Sequence, residues 1–259
     1  MPELGTLSGR VCVLAGGSGG IGTVLARQLH AEGAPLVLGY RRARSRAEAF
    51  AAELRASGAA PVVTIGGDLV REEVREQLLQ AAHGLGVPYG LVVLAGDPAR
   101  PAGGVATQAE MEASLADNYV GPVSLARGFA TDLAAAGGGS IVLISTMQGV
   151  ALFEGSLSYA APKAALIHAA RLLAKEHGGP GQVRVNVVAP GVTAAGMAEA
   201  SIRSGKYDRF IAGGVVHRFG RPEDVTRAIR FFLEPDGYVT GQVLTVDGGL
   251  TLRRDVVNH

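Results

Sequence analysis

Short apolar runs alternate with longer segments of helical periodicity along the whole chain, and this alternation limits the possible folds more than any other feature. Strands that alternate with helices form βαβ units, and right-handed crossovers then place helices on both faces of a parallel sheet. The strand-like runs are Val11–Ala15, Leu36–Leu38, Val62–Ile65, Gly90–Leu94, Ser140–Ile144, Val183–Val188 and Gln242–Val246. The pattern predicts an α/β protein with a seven-stranded, mainly parallel sheet.

The segments between these runs predict six helices and one long excursion. The helical segments are Ile21–Glu32, Arg44–Ser57, Glu72–Ala82, Glu110–Ala136, Ser158–His177 and Pro222–Glu234. The excursion, residues 192–217, is too long for a simple turn, so we predict a substrate lid there; a pair of small helices is a compatible interpretation. No linker divides the 259 residues, so we expect one domain over residues 1–259.

Composition excludes several classes of protein. The 24 basic and 23 acidic residues nearly cancel, which argues against a general nucleic-acid binder. The single cysteine, Cys12, excludes an intramolecular disulfide and a Cys-rich zinc site, and the six histidines lack metalloprotease spacing, so we expect no metal. There is no long apolar run and no signal-peptide pattern, so we expect a cytoplasmic protein without a membrane partner. The low charged fraction, 18%, favours an oligomer.

A cluster of glycines follows the first strand and precedes the first helix. Glycines allow a sharp turn and a close approach to a pyrophosphate, and the helix N-terminus offers free N–H groups to it. At this position the cluster predicts a Rossmann-type dinucleotide site, although a plain tight turn is the alternative. The predicted contacts are Gly16, Ser18, Gly19, Gly20, Ile21 and Gly22.

The end of the second strand indicates which coenzyme is bound. In this type of fold an acid there binds the ribose 2′-hydroxyl, whereas arginine accommodates a 2′-phosphate. The sequence has Tyr40, Arg41 and Arg42 and no acid, so we predict NADP(H); the alternative is that the arginines are solvated at a helix start. Asp68 and Leu69, after the third strand, are predicted beside the adenine, with a helix N-cap as the alternative for Asp68.

A tyrosine and a lysine four residues apart indicate acid–base chemistry. Tyr159 and Lys163 share one face of a predicted helix, and a nearby cation lowers the pKa of a phenol and makes it usable near neutrality. Pro162 fits this helix if it lies in the first turn. Thr146, at the end of the fifth strand, is placed to bind a substrate carbonyl, with Ser145 as the second candidate; both could instead satisfy backbone groups.

These motifs together resemble the short-chain dehydrogenases/reductases, and the resemblance covers nearly the whole chain. The glycine loop is similar to the family's TGxxxGIG, with Ala15 in place of threonine, and Tyr159 and Lys163 match YxxxK. Residues 184–191 resemble RVNxxxPG, and residues 241–249 resemble the closing GQ and VDGG. Asn118 falls where the family has its helix asparagine.

The resemblance implies a mechanism in which NADPH delivers hydride to a carbonyl carbon and Tyr159 protonates the alkoxide. Lys163 would lower the tyrosine pKa and hold the nicotinamide ribose, Thr146 would position the carbonyl oxygen, and Asn118 would support a proton relay. Alcohol oxidation is the reverse reaction. The remaining implied coenzyme contacts are Ala95, Gly96, Pro190, Gly191, Val192 and Thr193.

Departures from the family pattern keep other functions open. The family's NNAG is replaced by residues 93–96, Val-Leu-Ala-Gly, which lowers the expected local hydrogen bonding. One alternative is therefore an NADP(H)-binding sensor without turnover; another is a subunit whose partner supplies the activity.

The substrate is predicted only by class. The chain is similar to the 3-oxoacyl-(acyl-carrier-protein) reductase branch, but residues 131–139, where an acidic carrier would dock, hold no cation. We therefore expect a small or moderately apolar ketone, with a 3-oxoacyl thioester as the alternative. The lid could hold an apolar body with an anionic end, or be an amphipathic surface helix.

Overall fold

In the computed structural model, which describes residues 5–99 and 105–253, seven strands form one sheet in the order β3-β2-β1-β4-β5-β6-β7. The strands are β1 Val11–Ala15, β2 Leu36–Tyr40, β3 Val62–Gly66, β4 Pro88–Val93, β5 Gly139–Ile144, β6 Val183–Pro190 and β7 Val243–Val246. Every neighbouring pair is parallel. The predicted Rossmann-type fold is confirmed.

Eleven α-helices lie in the described ranges, most of them connecting successive strands. They are α1 Gly20–Ala31, α2 Arg44–Ser57, α3 Glu72–Leu85, α4 Gln108–Leu115, α5 Gly121–Ala135, α6 Met147–Val150, α7 Leu157–His177, α8 Glu199–Arg203, α9 Asp208–Ala212, α10 Pro222–Phe232 and α11 Leu250–Arg253. None of them has the length and apolar character that crossing a bilayer requires. Three-residue 3₁₀ turns lie at Gly179–Gly181 and Gly196–Ala198.

The prediction of one continuous helix over Glu110–Ala136 is wrong in one respect. A π-helical turn, Ala116–Val120, separates α4 from α5, and the Gly121 amide donates five residues back to the Ala116 carbonyl. Pro122 explains the interruption, because it has no N–H to donate to the carbonyl of Asn118, four residues earlier. Single π turns inside α-helices are frequent at functional sites.

Two hydrophobic layers cover the two faces of the sheet. Side chains alternate between them along each strand, as Cys12 and Leu14 of β1 join the layer under α1 and α10, whereas Val13 joins the layer under α5 and α7. Because both faces are covered, the five inner strands are buried along nearly all of their length and are mainly apolar, whereas the edge strands β3 and β7 are only partly buried. The carboxyl ends of the strands are left as the open edge where loops can form a site.

The 192–217 segment is ordered by its own small core rather than by the sheet. Its base is closed by a bridge between Thr193 and Gly220. It contains α8 and α9, so the interpretation as a pair of small helices describes its local structure. The segment packs against α6 and α11 through six buried residues: Met147, Val192, Phe210, Val215, Val216 and Leu250.

Candidate active site

A cavity of about 1260 Å³ opens at the carboxyl ends of the strands, where the strand order reverses between β1 and β4. Ligands of doubly wound sheets bind at this topological switch point. All the residues predicted to contact coenzyme line this cavity, together with Thr146, Tyr159 and Lys163. Among the predicted catalytic residues, Asn118 differs, because it is fully buried behind the cavity wall.

The glycine loop forms the part of the cavity nearest α1. A Cβ at Gly22 would overlap the Gly16 carbonyl oxygen, and a Cβ at Gly20 would lie 2.7 Å from the Gly196 amide nitrogen. Gly16 has φ +96°, a conformation that favours glycine. The backbone therefore folds back tightly here and also touches the 192–217 segment.

The loop has the structure that a dinucleotide requires. The N-cap of α1 is Gly19, and no side chain caps this helix end. Ser18, Gly19 and Gly20 line the cavity beside it. The first N–H groups of a helix attract anions, so this end fits a pyrophosphate. The structure contains no ligand, and the residues present fit a nicotinamide dinucleotide.

Tyr159 and Lys163 lie one turn apart on α7, and both side chains line the cavity. The Lys163 Nζ donates a hydrogen bond of 2.9 Å to the Ile144 carbonyl, at the end of β5. Burial lowers the pKa of Lys163 from 10.5 to about 8, because the charged form loses its hydration. Near neutral pH this lysine is therefore still mostly protonated, beside the tyrosine.

The structure distinguishes the two hydroxyl candidates after β5. The Ser145 Oγ donates 2.9 Å to the Lys163 carbonyl, so this hydroxyl anchors α7. The Thr146 Oγ accepts from the Gln148 amide at 3.4 Å and caps α6. Because the Thr146 oxygen is the acceptor in that bond, its own proton can be donated to an oxygen in the cavity.

Asn118 lies in the π turn and is held from two sides. Its side-chain amide donates to the Asp97 carbonyl at 2.9 Å and to the Ser114 Oγ at 3.1 Å, and its oxygen accepts from the Asp97 amide at 3.1 Å. A Cβ at Gly96 would lie 2.8 Å from the Asn118 Oδ1 and 3.1 Å from the Lys163 Nζ. A glycine at this position therefore leaves room for both polar groups.

The condition under which Pro162 was compatible with its helix, a position in the first turn, is not met. Because α7 begins at Leu157, Pro162 is its sixth residue and lies in the second turn. Its missing N–H deprives the Ser158 carbonyl of an α-helical donor. The Ser114 hydroxyl donates to that carbonyl instead, at 2.5 Å.

Arg41 lines the cavity but is already engaged by three carboxylates. Its guanidinium contacts Asp117 at 2.5 Å, Asp97 at 3.4 Å and Asp68 at 4.0 Å. The hydrogen bond that Arg41 donates to the Asp117 carboxylate raises the pKa of Arg41. Asp97 and Asp117 could not be recognised as partners from the sequence, because they are 56 and 76 residues away from Arg41.

Residues at the ends of β2 and β3 line the part of the cavity where the sequence predicts the adenosine of the coenzyme; this part is called the adenosine end below. Tyr40, Arg42 and Arg46 also line it, and the Tyr40 ring lies over Gly66, where a Cβ would approach within 2.6 Å. The Asp68 carboxylate accepts from the Val70 amide at 3.0 Å, within a turn. The alternative of a helix N-cap for Asp68 is wrong, because the N-cap of α3 is Arg71.

The apolar pair that replaces the family's asparagines is accommodated without local disruption. Val93 is buried in the core, and Leu94 packs against the α1 layer. The amides of Leu94 and Ala95 both donate to the Ala15 carbonyl, at 2.8 and 2.9 Å. This pairing holds the ends of β1 and β4 together beside the glycine loop.

Beyond β6, the cavity is lined by Pro190, Gly191, Val192 and Thr193. Gly191 packs against Asp247, whose Cβ would lie 2.6 Å from a Cβ at that glycine. From the rest of the excursion, Glu199, Lys206 and Tyr207 also line the cavity. Two other cations of the excursion have partners of their own: Arg203 pairs with Glu199 and Arg209 lies over the Phe210 ring.

The remaining polar residues have structural surroundings. Arg218 donates to the Asp224 carboxylate at 2.6 Å at the start of α10. Burial raises the pKa of the Cys12 thiol to about 12. In the described ranges, no three His, Cys, Asp or Glu side chains lie together in a way that could hold a metal ion.

Comparisons with known proteins agree with this geometry. A family model described as Enoyl-(Acyl carrier protein) reductase matches residues 15–251. The 2-(S)-hydroxypropyl-CoM dehydrogenase 3 of Xanthobacter autotrophicus is 30% identical, over 95% of this chain and 98% of its own. The 3-oxoacyl-(acyl-carrier-protein) reductase FabG of Aggregatibacter actinomycetemcomitans is 31% identical, over 92% and 98%. A short-chain type dehydrogenase/reductase structure from Mycobacterium ulcerans has a TM-score of 0.87 and 27% identity, over 95% and 91%.

Proposed function

The chain belongs to the short-chain dehydrogenase/reductase family, and on that premise we propose that it is an NADP(H)-dependent oxidoreductase that interconverts a ketone and a secondary alcohol. One observation carries the proposal. Tyr159 and Lys163 line the same cavity as the glycine loop, with the lysine buried and held against the Ile144 carbonyl. A proton donor and a loop suited to bind a dinucleotide therefore line the same cavity.

In the proposed mechanism, a reduced nicotinamide held by the glycine loop and the residues after β6 would supply the hydride that the substrate carbonyl carbon accepts. Tyr159 transfers its phenolic proton to the oxygen, which becomes a hydroxyl. Lys163, as a nearby cation, stabilises the phenolate that remains on Tyr159. The Thr146 hydroxyl donates to the same oxygen and orients it. Asn118, fixed behind Gly96, supports the return of a proton toward Lys163.

The glycine loop and the residues after β6 would hold the coenzyme. The arginines at the adenosine end support NADP(H) over NAD(H). Arg42 and Arg46 line the cavity there, and guanidinium groups pair well with a phosphate. Arg41 would join them only when a 2′-phosphate competes with its three carboxylate partners.

The substrate class that we propose is a small or moderately apolar ketone. Met147, Val192 and Tyr207 give the cavity an apolar wall beyond Thr146, and Lys206 stands at the same wall. An apolar substrate with an anionic end would fit this combination. The 192–217 segment would act as its lid. A carrier-protein substrate has less support, because residues 131–139 hold no cation to bind an acidic partner.

We also propose a homo-oligomer, a dimer or tetramer, in the cytoplasm. Exposed apolar side chains occur on α10, on β7, on α11 and in the segment before β7: Phe231, Leu244, Leu252 and Tyr238. Exposed apolar patches of this kind mark association surfaces. The charge balance of the sequence gives no support for a nucleic-acid partner.

The first experiment measures NADPH and NADH oxidation across a panel of ketones and 3-oxoesters. We expect turnover with NADPH and loss of at least about 10³-fold in kcat for Tyr159→Phe, which removes the transferable proton but keeps the ring. Tyr119→Phe is the matched control, because it makes the same change on the neighbouring π turn.

Each other result changes a different part of the proposal. A preference for NADH would overturn the assignment of the arginines. Tight coenzyme binding without turnover on any carbonyl would favour the sensor, and activity only in a mixed complex would favour the partner subunit. Equal turnover by Tyr159→Phe and wild type would refute the mechanism.

A further inference from the structure

A buried serine links the helix of Tyr159 and Lys163 to Asn118. Ser114 lies at the end of α4, four residues before Asn118, and is almost fully buried. Its hydroxyl donates to the Ser158 carbonyl of α7 at 2.5 Å and accepts from the Asn118 amide at 3.1 Å. None of the sequence motifs discussed above includes this residue.

Because residue 162 is proline, the Ser158 carbonyl receives no N–H from that position of its own helix. In an unbroken helix, the Ser158 carbonyl would receive the N–H of residue 162, and proline has none. Without another donor, this carbonyl would remain unsatisfied at a packed helix contact. The short distance from Ser114 shows that the serine proton replaces the missing helical bond.

The direction of each hydrogen bond in this chain is fixed. A carbonyl only accepts, so the single Ser114 proton points to Ser158, and its oxygen must accept from Asn118. The Asn118 amide group then donates to Ser114 and to the Asp97 carbonyl, while its oxygen accepts from the Asp97 amide. A flipped Asn118 amide would bring an oxygen against the Asp97 carbonyl and an N–H₂ against an N–H.

We propose that Ser114 is a positioning residue, which fixes Asn118 so that its Oδ1 borders the space beside Gly96 and the Lys163 Nζ. The role rests on the proposed function, because it acts through Asn118 on the lysine of the reaction. Ser114 does not line the cavity, and its two hydrogen bonds go to Ser158 and Asn118. Its effect is therefore on the rate of the chemical step rather than on coenzyme binding.

The test separates positioning from simple structural support by using Pro162. Ser114→Ala removes both bonds of the hydroxyl, whereas Pro162→Ala returns an N–H to the Ser158 carbonyl. In the wild-type background we expect Ser114→Ala to lower Tm by about 4 °C, because a buried carbonyl loses its donor. We expect kcat to fall about tenfold, with KM for NADPH within about twofold, because Asn118 loses an anchor.

The double variant, Ser114→Ala with Pro162→Ala, gives the decisive result. Most of the Tm should return, because the carbonyl has a donor again, while kcat stays low relative to Pro162→Ala alone, because Asn118 still lacks its acceptor. Ser114→Thr, which keeps the hydroxyl, should recover kcat. Recovery of kcat together with Tm in the double variant would reduce Ser114 to a structural residue and overturn the proposal.

Two further outcomes are distinguishable. If wild type turns over and Ser114→Ala matches its kcat, the positioning role fails while the proposed reaction stands. If wild type shows no turnover with any carbonyl on the panel, the proposed function fails, and the positioning role fails with it.

Discussion

Lys163 carries its charge at a buried position in the cavity wall, where it has lost most of its hydration. Its pKa falls from 10.5 to about 8 on folding, so the unfolded chain holds this proton over a pH range in which the folded chain has released it. The free-energy cost of burying the charged lysine is thus fully present below pH 8, and it disappears as the pH rises toward 10.5. The shift corresponds to about 3 kcal/mol against the folded state near neutrality. The proposed reaction needs a cation at this position. Keeping that cation buried lowers the free energy of unfolding of the protein.

The cost of burying the Lys163 charge gives a prediction for Lys163→Met. Between pH 7.5 and 10, the free energy of unfolding of wild type should rise by about 2–3 kcal/mol relative to the variant, while the variant has no turnover. Urea unfolding of both proteins across that pH range measures the difference. Lys175→Met, on an exposed part of the same helix, is the control. A constant difference between Lys163→Met and wild type would mean that Lys163 is not buried as a cation.

Arg41 gives a second prediction at the residue scale. Its closest partner is Asp117, and a 2′-phosphate must compete with that carboxylate. Asp117→Asn should lower KM for NADPH about threefold to tenfold and leave KM for NADH nearly unchanged, because only NADPH carries the phosphate. Glu53→Gln, which breaks the exposed pair with Arg27, is the control. An equal change for both coenzymes would show that Arg41 does not contact the phosphate.

At the scale of elements, the π turn sets the position of Asn118. Pro122 prevents the Asn118 carbonyl from receiving an ordinary helical bond, and the helix continues as α5 only after the extra residue has been accommodated. The turn also keeps Asn118 facing Ser114 and Asp97. An uninterrupted α-helix would rotate this asparagine by part of a turn relative to one of its two partners.

Pro122→Ala should therefore separate helix stability from activity. With an N–H at residue 122, the π turn can relax toward an α-helix, so we expect an equal or higher Tm and a kcat about tenfold lower. Circular dichroism melting and NADPH turnover measure the two effects. Pro222→Ala, at the first position of α10, is the matched control and should leave kcat unchanged. Unchanged kcat in Pro122→Ala would dissociate the π turn from the reaction.

Local patterns predicted most elements, and distant contacts explain what the sequence did not indicate. The strands are short and mainly apolar, and the glycine loop lies between a strand and a helix, so both could be recognised within a few residues. The partners of Arg41, and the Ser114 link to Ser158, join residues 44 or more positions apart. The break at Pro122 had a local cause, but the expectation of a long helix disregarded the missing N–H.

At the scale of the whole molecule, the β7 edge of the sheet is where we expect a second copy of the chain to bind. Phe231 and Tyr238 are more than half exposed, and β7 leaves one side of its backbone without a neighbouring strand in the sheet. A second copy that packs against this edge would bury both features.

Light scattering during size-exclusion chromatography tests this prediction. Wild type should elute as a dimer or tetramer, and Phe231→Glu should reduce the assembly state, because a charge on the contact surface would be buried without a partner. Val87→Glu introduces the same charge at an exposed apolar residue in the turn before β4 and should leave the assembly intact. A monomeric wild type would contradict the prediction.

The contact between Gly20 and Gly196 has a kinetic consequence. The 192–217 segment reaches across the cavity and touches the backbone at the start of α1, so a coenzyme seated on the glycine loop would lie beneath the same segment that borders the ketone. Coenzyme should then enter first and leave last. Steady-state product inhibition should follow an ordered sequence, with NADP⁺ competitive against NADPH and the alcohol noncompetitive against it.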